Sequence, residues 1–207
     1  WSIYLLNTIK EEPRICKYID LPIQHISDKV LRRMGRMPGK EKIISLYNDM
    51  RELIPDIALR TTVMTGYPGE GEREFNELLS FLKEHPFERL GIFPFSPERG
   101  TRAFKQGHRV KTEIINQRVE QLLEQQRGIS RGFNRSLLGK RVEVMVDIPH
   151  PKKNNAYGRL VSQAPEVDGK VVITGVSGVR PGDFLPVEIS GAGTFDLLGS
   201  NLESRNK

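Results

Sequence analysis

With 207 residues, 37% of them hydrophobic and 28% charged, the chain is long enough to bury a core, which excludes disorder as its main state. It contains no run approaching the roughly 20 apolar residues that span a bilayer, so no membrane partner is expected. The single cysteine, Cys16, excludes an internal disulfide and cannot by itself supply the three or four thiolates of a zinc or iron–sulfur site, while the net charge of +6 permits a polyanionic partner without requiring one.

Trp1 to Leu6 reads as a strand or helix entered part-way, with no initiator Met and no signal-peptide pattern, as expected of a piece of a longer cytoplasmic protein. Lys17 to Ile23 is a predicted strand, and Ser27 is placed to cap a short helix carrying Val30, Leu31 and Met34. Between Gly39 and Ile54, the residues Ile43, Leu46, Tyr47, Met50 and Leu53 recur at three- and four-residue spacings and define one helix face, which Pro55 ends. Ile57 to Met64, rich in β-branched residues, predicts a second strand. It passes through Thr65-Gly66-Tyr67-Pro68-Gly69 into a helix with Phe75, Leu78, Leu79 and Leu82 inward. Leu90 to Phe95 is a third strand. From Thr112 a long helix turns Ile115, Val119, Leu122 and Leu123 inward and a run of Gln, Glu and Arg toward water. Strands alternating with helices over short joints predict a parallel sheet built from right-handed crossovers.

Beyond about Ser136 the helical spacing gives way to short alternating segments: Arg141 to Asp147, Tyr157 to Gln163, Lys170 to Thr174, Phe184 to Ile189 and Phe195 to Leu198. Asp168-Gly169 and Pro181-Gly182-Asp183 are the turns between them. Five short strands in so small a region predict a closed β-barrel, because closure removes exposed edges. The expected domains are therefore 1–135 and 136–207.

Three segments carry polar groups at strand ends, where parallel α/β folds bind ligands. Thr65-Gly66-Tyr67-Pro68-Gly69-Glu70 joins a strand to a helix. Its glycines would allow close backbone approach, and the free N–H groups of the following helix would hold an anion. The plainer reading is a tight turn with Glu70, Glu72 and Glu74 at the positive end of the helix dipole; the absence of a following Gly-Lys-Ser/Thr excludes a Walker loop. Gln24 and His25 follow the first strand, either contacting a ligand or simply hydrogen-bonded. Phe93 to Thr101 leaves the third strand as a long irregular loop with Ser96, Glu98, Arg99 and Thr101. Cys16, before the first strand, reads as an unpartnered core or surface thiol.

In this order and spacing the segments resemble a known family. Tyr18 to His25, Met34-Gly35-Arg36, Arg60-Thr61-Thr62 through Gly66-Tyr67-Pro68-Gly69-Glu70 with Glu74-Phe75, and Phe95-Ser96-Pro97-Glu98 with Gly100-Thr101 resemble the later part of the radical S-adenosylmethionine (SAM) domain of methylthiotransferases. The β-rich tail resembles their TRAM domain. The resemblance covers essentially the whole chain. It implies the C-terminal half of a radical SAM (β/α) barrel, hence a partial barrel, followed by a five-stranded TRAM or OB-like barrel.

Two branches of this family differ in substrate, one modifying adenosine in tRNA and the RimO-type branch modifying an aspartate of a small-subunit ribosomal protein. Asp20-Leu21-Pro22-Ile23-Gln24-His25 and Ala164 to Gly169 are similar to the RimO type. The resemblance implies SAM and two [4Fe-4S] clusters as cofactors, with a small-subunit ribosomal protein rather than tRNA as partner. The cluster cysteines, a Cys-x3-Cys-x2-Cys loop and three more, are not in this sequence, so no catalytic or metal residue is assigned here. Gln24, His25, Thr65, Gly66, Pro68, Gly69 and Glu70 become expected SAM-side residues, and Ser96, Glu98 and Thr101 expected substrate-side residues. The rivals are the tRNA-modifying enzyme and a non-catalytic RNA-binding module. From Ser136 onward the chain holds nine basic against eight acidic residues, and before it twenty-three against eighteen, so the tail is not the seat of the positive charge.

Overall fold

The computed structural model describes residues 3–150 and 154–202. They divide into two compact units, the first made of residues 1–13 and 19–126, the second of 14–18 and 127–207, so the division falls inside one long helix.

In the first unit, helix α1 (Ile3–Glu11) precedes strand β1 (Tyr18–Asp20), and α2 (Asp28–Met34) and α3 (Lys40–Leu53) lead to β2 (Ala58–Thr65). Helix α4 (Glu72–Glu84) then joins β2 to β3 (Arg89–Pro94). The strands lie in the order β1-β2-β3. β2 and β3 are parallel in a register running from Arg60 opposite Arg89 to Thr65 opposite Pro94. The parallel sheet with helical crossovers is as the sequence predicts. β1 is shorter than the predicted strand because the chain turns aside after Asp20 and rejoins β2 at a parallel bridge between Gln24 and Val63.

The apolar faces pack as their periodicity requires. Ile43, Tyr47 and Met50 of α3 and Phe75, Leu78, Phe81 and Leu82 of α4 are buried against Leu59 and Val63 of β2. Phe81 takes the buried place that spacing gave to Leu79, which is only partly covered. Arg51 grips Glu88 with both ends of its guanidinium, at 2.9 and 3.0 Å, and Glu88 also accepts the Leu59 amide, which ties α3 to the starts of β2 and β3.

Helix α5 (Thr112–Arg135) departs from expectation. Its buried stripe includes Ile115 and Leu122, but also Arg118 and Gln126, of the Gln, Glu and Arg run expected to face water, and Ser130 and Asn134 at further four-residue steps. Each of Arg118, Gln126 and Asn134 turns inward because an acceptor awaits it: Arg118 on Glu70, Gln126 on the Phe87 carbonyl at 3.0 Å, and Asn134 on the carbonyls of Gly193 and Thr194 at 3.1 and 3.2 Å. Ser27 occupies the N-cap position of α2 without a side-chain capping bond.

The second unit is a closed barrel of β4 (Arg141–His150), β5 (Asn155–Arg159), β6 (Val171–Thr174), β7 (Phe184–Ala192) and β8 (Leu197–Asn201), in the order β4-β5-β6-β8-β7. Alternate residues fill it, among them Val144, Val146, Ala156, Val171, Ile173, Val187, Ile189 and Leu197. The five predicted strands are present with shifted bounds. β5 stops at Arg159, since 160–163 form a turn closed by Gln163 on the Leu160 amide, and β8 begins at Leu197 instead of Phe195.

Candidate functional site

The Thr65–Glu70 turn is built around one buried carboxylate. Glu70 is 3% exposed. It accepts hydrogen bonds from the Thr65 hydroxyl (2.8 Å), the Gly66 amide and the Tyr67 amide (3.2 Å), and it faces the Arg118 guanidinium at 3.2 Å. Burial pushes the Glu70 carboxyl above its ordinary value, against Thr65, Arg118 and the two amides, which all hold it down. Gly66 and Gly69 have φ of +88° and +90°, the left-handed region that favours glycine. A Cβ on Gly66 would run into Ile115, and one on Gly69 into the Arg33 guanidinium, so these glycines admit the chain's own side chains. The Gly69 amide donates to the His108 carbonyl at 3.0 Å and the Gly71 amide to Glu74 at 2.8 Å. The turn amides of Gly66, Tyr67, Gly69 and Gly71 are therefore already committed within the protein.

The end of β1 is more open. Gln24 lies half-buried with φ of +66°, pinned in that conformation by its amide on the Thr62 carbonyl and by the Met64 amide on its own carbonyl, both at 2.8 Å. A non-glycine residue held left-handed at a strand end costs about 1 to 3 kcal/mol and is concentrated at functional sites. His25, beside it, is fully buried; its Nδ1 accepts the Ser27 amide at 2.9 Å, which leaves the ring proton on Nε2, where it has no partner among the described residues. Burial lowers its pKa to about 4, with Arg118 acting in the same direction and Glu74 opposing, so the ring is neutral. An orphaned buried donor and a strained glutamine fit a polar ligand at the strand ends better than the closed turn does.

The third segment stands apart in character. Ser96, Glu98 and Thr101 are exposed and bonded to one another: the Ser96 hydroxyl donates to the Glu98 carboxylate at 3.3 Å and the Thr101 hydroxyl to the Glu98 carbonyl at 2.7 Å. The Phe95 amide, on the Thr65 carbonyl at 2.8 Å, holds this loop to the end of β2, and the Tyr67 and Phe95 rings meet edge to face with centroids 5.1 Å apart. Arg118 and Lys29 escaped the sequence reading, and Glu74 entered it only as a helix-dipole acid and a motif residue. Arg118 was legible only as a charge four residues before Leu122, on the same helix row.

The donor set does not fit an iron–sulfur cluster: Cys16 is exposed, and among the described residues no three His, Cys, Asp or Glu side chains converge as metal ligands.

Residues 5–82 match the radical SAM superfamily and residues 138–201 the TRAM domain. The chain is 41% identical over 195 residues to the ribosomal protein uS12 methylthiotransferase RimO of Carboxydothermus hydrogenoformans, covering 94% of this chain and 44% of that protein. It is 41% identical over 193 residues to the RimO of Desulforudis audaxviator, covering 93% and 42%, and 43% identical over 197 residues to that of Prosthecochloris aestuarii, covering 94% and 45%. The chain thus spans somewhat under half the length of the curated relatives it matches. A radical SAM segment with the strand-end motifs in place, a closed TRAM barrel after it and this identity over nearly the whole sequence make the chain a member of the radical SAM methylthiotransferase family, on its RimO side.

Proposed function

We propose that this chain is the C-terminal part of a RimO-type enzyme that adds a methylthio group to the β-carbon of an aspartate in the small-subunit ribosomal protein uS12. The identity of 41% or more to uS12 methylthiotransferases across at least 93% of the chain carries this reading. Its radical SAM part is taken as 1–135 and its TRAM part as 136–207, acting in the cytoplasm, where ribosomal proteins are made; among the described residues no helix is long and apolar enough to cross a membrane.

The family draws its radical and sulfur chemistry from SAM and iron–sulfur clusters, here two [4Fe-4S] clusters with ligands outside this sequence. What this chain contributes is orientation. Gln24 and His25 present an amide and a neutral Nε2–H to SAM. Thr65, Gly66, Pro68 and Gly69 form the wall beside them. Glu70 is a positioning residue, since its carboxylate is spent on Thr65, Gly66 and Tyr67 and fixes the path of that wall. Ser96, Glu98 and Thr101 face the protein substrate from the loop after β3.

The experiment is mass spectrometry of uS12 after incubation with the cluster-loaded longer protein, SAM and a reductant, with tRNA as the competing substrate. A methylthio adduct on an aspartate of uS12 is expected; one on tRNA adenosine with none on uS12 replaces the reading by the sister activity. Anaerobic reconstitution of the 207-residue chain alone should yield no stoichiometric iron or sulfide, given its one thiol.

A further inference from the structure

Two adjoining clefts of the first unit are bordered by several cations that have no carboxylate partner among the described residues. One, of about 980 Å³, opens beside the start of α4; its lining holds Lys29, Arg33, Arg109, Lys111 and Arg118 against the carboxylates of Glu70 and Glu72. A smaller one, of about 460 Å³, is lined by Lys29, Arg32, Arg33, Arg102 and Gln106. Lys29 and Arg33 border both. Apart from Arg118, these cations come from two stretches of sequence: 29–36, with four basic residues and no acid, and 99–111, with five basic residues and no acid.

Neutralisation separates the cations into two classes. Lys29 is paired with Glu74 at 3.0 Å and Arg118 with Glu70. Arg32, Arg33, Arg102, Arg109 and Lys111 have no carboxylate partner among the described residues. Two of these five are nevertheless held in place. Arg33 donates Nε to the Pro68 carbonyl at 2.7 Å and Nη2 to the Gly107 carbonyl at 3.4 Å. Arg109 lies over the Phe104 ring and donates to the Phe104 carbonyl at 3.1 Å. Carbonyl and ring contacts fix a guanidinium without cancelling its charge, so both arrive at a partner already ordered. Cations fixed in this way along two joined clefts, with Arg32, Arg102 and Lys111 free beside them, suit a run of phosphates better than a single small anion. They would repel a basic ribosomal protein.

We propose that these clefts grip the phosphate backbone of small-subunit ribosomal RNA, so that the protein substrate is met on RNA and not as a free polypeptide. The RNA's identity rests on the functional reading above; the grip itself does not.

The test uses the 207-residue chain with salt-washed small ribosomal subunits in co-sedimentation, over a salt series. Arg32→Glu, Arg102→Glu and Lys111→Glu are combined, because none of these side chains makes a hydrogen bond or ion pair among the described residues; the corresponding triple Gln variant serves if the first does not fold. Binding should weaken at least tenfold, with the slope of log K against log salt shallower by about 2 to 3, as expected for three lost phosphate contacts. A Lys140→Glu, Arg180→Glu variant of the barrel should bind as the unaltered chain does. Against isolated uS12 the cleft variant should bind no more weakly than the parent. Undiminished subunit binding by both triple variants, or tRNA displacing the chain more readily than subunits do, overturns the proposal. Cleft-dependent RNA binding by a protein that leaves uS12 unmodified would sink the functional reading and leave the grip standing.

Discussion

The parallel sheet of the first unit and the closed barrel of the second handle burial in opposite ways. The buried His, Glu and Arg side chains among the described residues, namely His25, Glu70, Glu74, Arg89 and Arg118, all lie in the first unit. The buried polar side chains of the second, Ser130, Asn134, Gln163 and Asn201, are neutral hydroxyls and amides. A barrel satisfies its backbone by closure and needs only apolar filling. An open three-stranded sheet leaves its strand ends to loops, and there the chain holds charges out of water. Buried charge is costly unless paired, so the Glu70–Arg118 pair after the end of β2 marks a place where chemistry has been given precedence over stability.

The largest test of this contrast is Glu70→Ala. It removes the acceptor of Thr65, Gly66 and Tyr67 and strands the Arg118 guanidinium, itself 8% exposed. Breaking a buried ion pair on one side costs about 3 to 5 kcal/mol. Hydrogen exchange followed peptide by peptide should show β2, α4 and the start of α5 losing protection while β4 to β8 keep theirs. Equal loss in both units would mean that they do not unfold separately.

His25 gives the next effect, of defined sign. Its pKa is about 4 in the fold against an ordinary 6.5, so between those values the unfolded chain takes up a proton that the folded chain refuses. Stability contributed by the neutral ring is complete above pH 6.5, falls as pH drops toward 4, and is constant below; the full span is about 3 kcal/mol. Glu70, raised by burial, works in the opposite direction, so the readout is the difference between the chain and its His25→Gln variant in urea unfolding at pH 7 and pH 4.5. A difference independent of pH would show that the ring is not held neutral.

Much of the architecture was legible in sequence because period 3.6 and period 2 are consequences of burial, and burial governs α3, α4 and β4 to β8. The inward polar row of α5 was not legible. Arg118, Gln126 and Asn134 are buried because Glu70, the Phe87 carbonyl and the Gly193 and Thr194 carbonyls wait for them, and those acceptors are 48, 39, 59 and 60 residues away in the chain. At the site, the glycines of the 65–70 turn were read as room for close backbone approach by a ligand or, more plainly, as a tight turn. The structure gives that room to Ile115 and Arg33. Gln24 carries no such signature: a left-handed glutamine is imposed by hydrogen bonds to β2 on either side. Asp168, read in sequence as part of a turn with Gly169, accepts the Ala164 amide at 2.8 Å and the Tyr18 hydroxyl at 2.7 Å.

In the barrel the sensitive positions are small residues instead of charges. Gly158 of β5 faces β4 so closely that an added Cβ would press on the Met145 carbonyl and the Val144 side chain. Gly158→Ala should cost about 2 kcal/mol through overpacking, read as a lower urea midpoint for the β4 to β8 peptides, with the first unit unchanged. An unchanged midpoint would mean that the barrel yields at β4 and β5 and is less tightly packed than its buried alternation implies.

The smallest effect separates backbone strain from crowding. Gly178, in the connection between β6 and β7, has φ of +72° and nothing within 4 Å of where a Cβ would stand. Gly178→Ala therefore meets no neighbour and pays only for the left-handed conformation, about 1 kcal/mol. The loss should appear in the barrel peptides alone, at roughly half the size of that at Gly158, and Gly178→Asn should recover part of it because asparagine tolerates this region. If Gly178→Ala is neutral, the turn relaxes to negative φ at no cost. The barrel would then be rigid only where its strands pair, and the contrast with the first unit, whose loops are fixed by buried charge, becomes sharper.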